Sequence, residues 1–216
     1  MELATTLLEK PLMSNLSRGL WGYHGRTGDG RELTVQSTGI GGPSAAVVLA
    51  ELAELGVRRA IRVGTCVALD PRLAPGDEIV AERALAGDGV GSALAAGAPP
   101  LRPDPALTDA LARVARRSRM GLVASTDLYY DHGSSRREDW RTAGAVAVEL
   151  SAAALLAVGS RCGVAVACGL VVAEAASGER LDDDALEDAV LALGGSAAQA
   201  LAAIGQAPVS EGASLA

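Results

Sequence analysis

The chain has 216 residues, a formal net charge of -7 and an apolar fraction of 49%, with no Phe. This length fits one α/β domain with a sizeable core, which we place at residues 1–206, followed by a flexible tail at 207–216. The negative charge disfavours nucleic acid and anionic membranes as partners, and no apolar run reaches the roughly 20 residues of a membrane span. Small molecules are therefore the expected partners.

The N-terminal segment and the cysteines indicate the compartment. The first twenty residues lack the basic and apolar regions of a secretion signal, which predicts a cytoplasmic location. Cys66, Cys162 and Cys168 are odd in number, lie in apolar surroundings and show no CxxC spacing. This pattern favours buried free thiols over disulfides or a zinc site, so we expect no metal.

Apolar periodicity predicts alternating strands and helices along the chain. Residues 33–37 are predicted as a strand, 44–55 as an amphipathic helix and 57–64 as a second strand, together a βαβ unit with parallel strands. The remaining predicted elements are a strand in 76–85, a flexible loop in 89–105, a helix in 105–119, a strand running into a loop in 120–130, a buried helix in 145–158, a buried strand in 163–175 and a terminal helix in 182–204.

A glycine-rich segment, TGIGGPS at residues 38–44, links the first predicted strand to the first predicted helix. In open α/β sheets, ligands bind beyond the carboxyl ends of strands, where N–H groups at a helix N-terminus can hold an anion. Gly39, Gly41 and Gly42 permit positive φ angles and a close approach of the backbone. A tight turn without a ligand explains the segment equally well, because it matches neither GxGxxG nor the P-loop.

The second predicted strand ends in RVGT, which places the guanidinium of Arg62 and the hydroxyl of Thr65 near the glycine loop. A buried Arg on an apolar strand is costly without an anionic partner. We favour phosphate as that partner. A structural carboxylate such as Asp70 or Asp77 is the alternative.

Several segments, in order, resemble the nucleoside phosphorylase superfamily, which holds bacterial purine nucleoside phosphorylase and uridine phosphorylase. The stretch STGIGGPSAAVVLAELAELGVRRAIRVGT is similar to uridine phosphorylase almost residue for residue, and NLSRGLWGYHGRTGDGRELTV resembles the purine enzymes' Arg-Gly segment and hairpin. ASTDLYY resembles the family's base-site strand, and VELSAAALL stands in place of its Glu-Met-Glu helix. The resemblance covers about residues 14–190 and implies a central mixed, mostly parallel sheet flanked by helices.

The resemblance also implies a binding site. By position, Gly39, Arg62 and Thr65 would bind phosphate, and Arg18 would reach it from a neighbouring subunit of a homo-oligomer whose sites are shared at a dimer interface. The residues implied to contact the nucleoside are Thr38, Tyr129, Tyr130, Glu149, Leu150 and Ser151. The tyrosines have core filling as an alternative role, and Glu149 that of a partnered structural acid.

The family's reaction is phosphorolysis of an N-glycosidic bond, with inorganic phosphate as co-substrate and no metal or organic cofactor. Its transition state has oxocarbenium character in the sugar, while negative charge leaves on the base. The resemblance implies catalytic roles for Arg62, which holds the attacking phosphate, and for Glu174, which stands where the purine enzymes have a catalytic aspartate. Glu174 is suited to protonating the base, and a surface carboxylate is the alternative.

Besides Glu174 in place of an aspartate, three departures from the family pattern leave other functions open. The family's opening strand and phosphate loop have no counterpart before Met1, Ser151 replaces a ribose-binding glutamate, and Val67 replaces a glycine. One alternative is a catalytically impaired homologue that acts as a binding or scaffolding subunit. The other is a nucleoside hydrolase of the same fold, which uses water and does not need Arg62. The base and the sugar, ribose or deoxyribose, stay open.

Overall fold

The computed structural model describes residues 2–95, 100–115, 118–131 and 135–205, so the predicted tail at 207–216 lies outside the described residues. The strands are β1 (Glu9–Asn15), β2 (Gly22–Arg26), β3 (Glu32–Gln36), β4 (Arg59–Ala68), β5 (Glu78–Gly87), β6 (Ser118–Thr126), β7 (Ala145–Glu149) and β8 (Ala165–Glu174). The helices are α1 (Glu2–Leu7), α2 (Gly42–Glu54), α3 (Gly89–Ala95), α4 (Pro105–Val114), α5 (Arg136–Thr142), α6 (Ala152–Cys162) and α7 (Asp183–Ala203), with a 3-10 turn at Ser17–Gly19.

Five strands close into a barrel in the order β4-β7-β6-β5-β8. The pairs β4–β8, β5–β6 and β6–β7 are parallel, whereas β4–β7 and β5–β8 are antiparallel. The predicted α/β fold with a mixed, mostly parallel sheet and flanking helices is confirmed, and the sheet closes on itself.

The predicted βαβ unit with parallel strands is wrong, although its strands and helix exist. β3 pairs antiparallel with β2, from Gly22 opposite Gln36 to Arg26 opposite Glu32, in a separate sheet ordered β1-β2-β3. β4 pairs with β7 and β8 in the barrel. Periodicity identifies a strand but not the strand that pairs with it, so the helix α2 connects two sheets.

The predicted helix at 145–158 is in fact a strand followed by a helix, β7 and α6. A continuous apolar run suits a buried strand and a buried helix equally well. The backbone changes at Ser151, which has φ -156 and precedes the first helical residue. α6 is buried from Ala152 to Gly159, which anchors its N-terminus against the barrel.

The predicted loop at 89–105 is also partly wrong, because it begins with the helix α3. Farther on, Leu101 forms an antiparallel bridge with Ala84 of β5. Alanine favours helix strongly enough to offset the neighbouring glycines over this short stretch. Residues 96–99 of the predicted loop lie outside the described residues.

The core has two main apolar clusters. The larger joins α2 and α6 to all five strands of the barrel, and the second packs α4 and α7 on β5 and β8. All three cysteines are free thiols, as predicted: Cys66 and Cys168 are buried in the larger cluster, whereas Cys162 is only half-buried. Burial raises the pKa of Cys168 to about 12. Within the described ranges, none of the helices combines the length and apolar character that crossing a membrane requires.

Candidate active site

A buried ion pair joins β4 to the end of β7. Nε and Nη2 of Arg62 donate to Oε2 of Glu149 at 3.2 and 2.8 Å. The Arg62 side chain is 14% exposed and that of Glu149 is fully buried. Burial opposes the charged guanidinium, but the Glu149 carboxylate outweighs it, so the pKa of Arg62 is raised. The anion that compensates the buried charge of Arg62 is therefore a structural carboxylate, Glu149, rather than the phosphate favoured from the sequence, and it is neither Asp70 nor Asp77.

The N-terminus of α6 holds the Glu149 carboxylate. Oε2 accepts from the backbone N–H of Ser151 at 2.8 Å, and Oε1 accepts from that of Ala152 at 2.9 Å and from the hydroxyl of Ser125. Ser125 Oγ in turn accepts from the N–H of Ala153 at 2.8 Å. The positive end of the helix dipole favours a negative charge here. Ser125 was missed by sequence reasoning, although it lies within the ASTDLYY motif.

Gly64 makes room for the Arg62 guanidinium. A Cβ at Gly64 would lie 2.2 Å from Nη1 of Arg62, so a larger residue would displace the side chain. Thr65, the next residue on β4, is exposed. The RVGT segment thus offers a nearly buried cation and an exposed hydroxyl-bearing residue three positions apart on one strand.

The glycine loop has the backbone geometry that the sequence predicts. Gly39 and Gly41 have φ of 70° and 86°, which only glycine adopts at low cost. Gly42 begins α2 and is buried against Asp88, whose Oδ2 would lie 2.9 Å from a Cβ at that position. Thr38 is half-buried and Gly39 is exposed.

Asp88 is a buried acid that sequence reasoning missed, because GDG resembles an ordinary turn. It is 1% exposed, and Oδ2 accepts from the N–H of Gly91 at 2.8 Å. Within the described residues, Oδ1 has no hydrogen-bond partner. Burial raises the pKa of Asp88, and repulsion from Asp127 and Glu149 adds to the rise. A second acid thus lies near the Glu149 carboxylate.

Two charged residues of the predicted site lie apart from the Arg62–Glu149 pair. Arg18 lies in the 3-10 turn with φ 59° and pairs with Glu51 of α2 at 3.1 Å, and both side chains are exposed. Glu174 ends β8, is 31% exposed and lies 3.7 Å from Arg180. Cys168 is opposite Arg62 on β8, so Glu174, six positions later, is about 20 Å farther along the strand.

The predicted nucleoside contacts differ widely in exposure. Tyr129 and Tyr130 are 61% and 78% exposed, and their rings meet edge to face with centroids 4.8 Å apart. The alternative that these tyrosines fill the core is therefore wrong. Leu150 is half-buried, and Ser151 is buried at the start of α6. In the part of the chain that the structure describes, no cluster of three or more His, Cys, Asp or Glu could hold a metal ion.

Comparison with known proteins identifies the family. The model of the phosphorylase superfamily matches residues 2–207. The chain is 34% identical over 170 residues to guanosine phosphorylase of Halorubrum lacusprofundi, covering 74% of this chain and 70% of the relative. It is 32% identical over 173 residues to uridine phosphorylase of Salmonella typhimurium (72% and 68% covered) and 30% identical over 178 residues to a DeoD-type purine nucleoside phosphorylase of Clostridium novyi (80% and 76%). The chain therefore belongs to the phosphorylase superfamily.

Proposed function

We propose that this protein is a nucleoside phosphorylase, which uses inorganic phosphate to cleave a purine or pyrimidine nucleoside into free base and pentose 1-phosphate. Its relatives are named for guanosine, uridine and purine nucleosides, which supports the substrate class. The observation that carries the proposal is Arg62, a nearly buried cation on β4, three residues before the exposed Thr65. Phosphate is the co-substrate, and the absence of a metal or organic cofactor stays a prediction.

In the proposed reaction, a phosphate oxygen forms a bond to C1′ while the bond from C1′ to the base nitrogen breaks. Its electron pair leaves on the base, which takes up a proton. Arg62, Thr65 and the backbone at Gly39 hold the phosphate, whose negative charge stabilises the cationic sugar. Glu174 is the proposed proton donor: its carboxylate must first take up a proton from solvent, which releases it from Arg180, and the neutral acid then donates that proton to the base.

The proposed nucleoside site combines a stacking surface with polar groups near the sugar. Tyr129 and Tyr130 present exposed rings, on which a base can stack. Thr38, Leu150 and Ser151 are proposed to line the ribose. Because Ser151 supplies no charged acceptor, we expect weaker discrimination between ribose and 2′-deoxyribose than a glutamate gives.

We also propose that the protein acts as a homo-oligomer in which Arg18 of one subunit completes the phosphate site of another. The Arg18–Glu51 pair is exposed, so Arg18 can leave Glu51 for an incoming phosphate at a small cost. Large apolar side chains are exposed on β1, on the segments that follow β1 and β3, and on α2: Leu12, Met13, Leu16, Trp21, Ile40 and Val47. Such exposure supports a subunit interface.

The test is to incubate the protein with a panel of nucleosides, with and without phosphate, and to measure free base and pentose 1-phosphate. A phosphorylase releases base only with phosphate and loses the activity in Arg62→Ala. Release without phosphate that survives Arg62→Ala indicates the hydrolase instead. No release from any nucleoside indicates the impaired, scaffolding homologue.

A further inference from the structure

The guanidinium of Arg62 is held by Glu149 and occupies space that Gly64 leaves free. Nε and Nη2 donate to Glu149 Oε2 at 3.2 and 2.8 Å. A Cβ at Gly64 would lie 2.2 Å from Nη1 and 2.9 Å from Cζ. Because a guanidinium is planar and rigid, fixing Nε and Nη2 also fixes the direction of Nη1.

Glu149 is not free to turn toward another ligand. Besides Arg62, its oxygens accept from the hydroxyl of Ser125 and from the backbone N–H groups of Ser151 and Ala152, all of them buried. Rotation of the carboxylate toward a ribose hydroxyl would leave these buried donors without an acceptor, which is costly. The carboxylate is thus part of the framework that joins β6, β7 and α6.

The third nitrogen of the Arg62 guanidinium, Nη1, does not bind Glu149. In the described part of the chain, Nη1 donates no hydrogen bond, and the side chain keeps 14% of its surface exposed. Nη1 lies close to the position that a Cβ of Gly64 would take, and the exposed Thr65 is the residue after Gly64 on β4. Nη1 is thus the guanidinium nitrogen whose hydrogen atoms are available to bind a phosphate oxygen.

We propose that Glu149 is a positioning residue that holds Arg62 with Nη1 directed at the phosphate site, and that it is not a ribose ligand. The inference rests on the proposed function and changes the role that resemblance implies for Glu149. Gly64 is the second part of the same arrangement, since it gives the guanidinium its space. Phosphate affinity should then depend on Glu149, whereas discrimination between ribose and 2′-deoxyribose should not.

The decisive variant is Glu149→Gln. A glutamine has a single acceptor oxygen, so it cannot serve both Arg62 and the N–H of Ala152, and one of the two is left facing an NH2 group. If Glu149 only neutralised Arg62, its removal would strengthen the attraction for phosphate. Positioning therefore predicts weaker phosphate binding, and simple neutralisation predicts tighter binding.

The experiment compares KM for phosphate and for nucleosides in the wild type, Glu149→Gln and the control Glu138→Gln, which breaks an exposed ion pair with Arg141. We expect Glu149→Gln to raise the phosphate KM about tenfold or more, with nucleoside KM within about twofold and an unchanged ratio of ribo- to 2′-deoxyribonucleoside cleavage. An unchanged or lower phosphate KM overturns the proposal. So does a loss confined to ribonucleosides, which identifies a ribose ligand.

Gly64→Ala tests the same geometry with Glu149 intact, and it carries the test if Glu149→Gln does not fold. It should reproduce the loss of phosphate affinity, and an unchanged affinity overturns the proposal.

Calorimetric titration with inorganic phosphate separates this inference from the proposed function. If the wild type cleaves no nucleoside, weaker phosphate binding in both variants still supports positioning, while equal binding, or no binding by the wild type, overturns it.

Discussion

Glu149 and Asp88 are two buried carboxylates whose charges are compensated to very different extents. Glu149 has Arg62 and three further donor residues, whereas among the described residues Asp88 accepts only from the N–H of Gly91. A buried carboxylate with few donors favours its protonated form. The two acids should therefore respond differently to substitution.

Substitution of Arg62 tests the phosphate site directly. Millimolar phosphate should raise the Tm of the wild type and leave that of Arg62→Ala unmoved, because a ligand stabilises only a protein that binds it. The baseline Tm of Arg62→Ala should also fall, since Glu149 would lose its partner, at a cost of about 3–5 kcal/mol. Arg72→Ala, which removes an exposed arginine paired with Asp70, is the control. An equal phosphate response in all three proteins would show that the site lies elsewhere.

Asp88 predicts a pH-dependent change in stability. Its pKa is raised in the folded protein, so the stabilising effect of its proton is complete below the unfolded pKa of about 4 and is lost as pH rises through the folded pKa. Asp88→Asn does not lose stability in this way, because asparagine stays neutral as pH rises. The free energy of unfolding of Asp88→Asn relative to wild type should therefore increase between pH 4 and pH 7, measured by urea denaturation. Asp109→Asn, an exposed change on α4, is the control, and a constant difference for Asp88→Asn would contradict the argument.

At the scale of elements, the N-terminus of α6 organises the site. Its first N–H groups bind Glu149 and Ser125, and the helix behind them is buried, so the acceptors and the helix fix each other. The loop after β6 has the opposite character, because its tyrosines are exposed. The strand β6 thus connects the buried part of the site at Ser125 to the exposed loop that carries Tyr129 and Tyr130.

Ser125→Ala should destabilise the protein by about 1–3 kcal/mol, because the N–H of Ala153 and Glu149 Oε1 each lose a buried hydrogen bond. Ser118→Ala, at the start of the same strand, should have a much smaller effect. Chemical denaturation measures both. A similar small loss in the two variants would mean that the Ser125 hydroxyl does not support α6.

Tyr129→Ala should separate binding from stability. The side chain is 61% exposed, so the free energy of unfolding should change by less than about 0.5 kcal/mol. If the ring stacks on the base, the nucleoside KM should rise about tenfold with the phosphate KM unchanged. Leu128→Ala, also exposed, is the control. A fall in stability without a change in nucleoside KM would assign Tyr129 a structural role.

For the whole molecule, the proposed homo-oligomer makes the two arginines interdependent. Mixing Arg18→Ala with Arg62→Ala should restore part of the activity, because hybrid assemblies contain sites with both arginines intact. The mixture is measured against each variant alone, with subunit exchange verified by mass-tagged protein. No recovery despite exchange would contradict a shared site. The cytoplasmic location stays a prediction.

The sequence by itself determined much that depends on local pattern. Residues 163–175 and 182–204 were predicted as a strand and a terminal helix, which are present as β8 and α7. The residue type permits the positive φ of Gly39 and Gly41, and family membership follows from motifs that stay in order along the chain. The need for an anion at Arg62 also follows from the sequence, because Arg62 lies on an apolar strand that is expected to be buried. A buried positive charge is costly without an anionic partner.

Only the tertiary structure decided which groups meet. Glu149 lies 87 positions after Arg62, and no local pattern favours it over Asp70 or Asp77. The separate sheet of β3, the division of 145–158 into β7 and α6, and the burial of Asp88 depend in the same way on distant partners. The physical reason is that periodicity indicates which side of a helix or strand is buried. Strand pairing and charge pairing depend instead on which distant segments pack against each other in the folded chain.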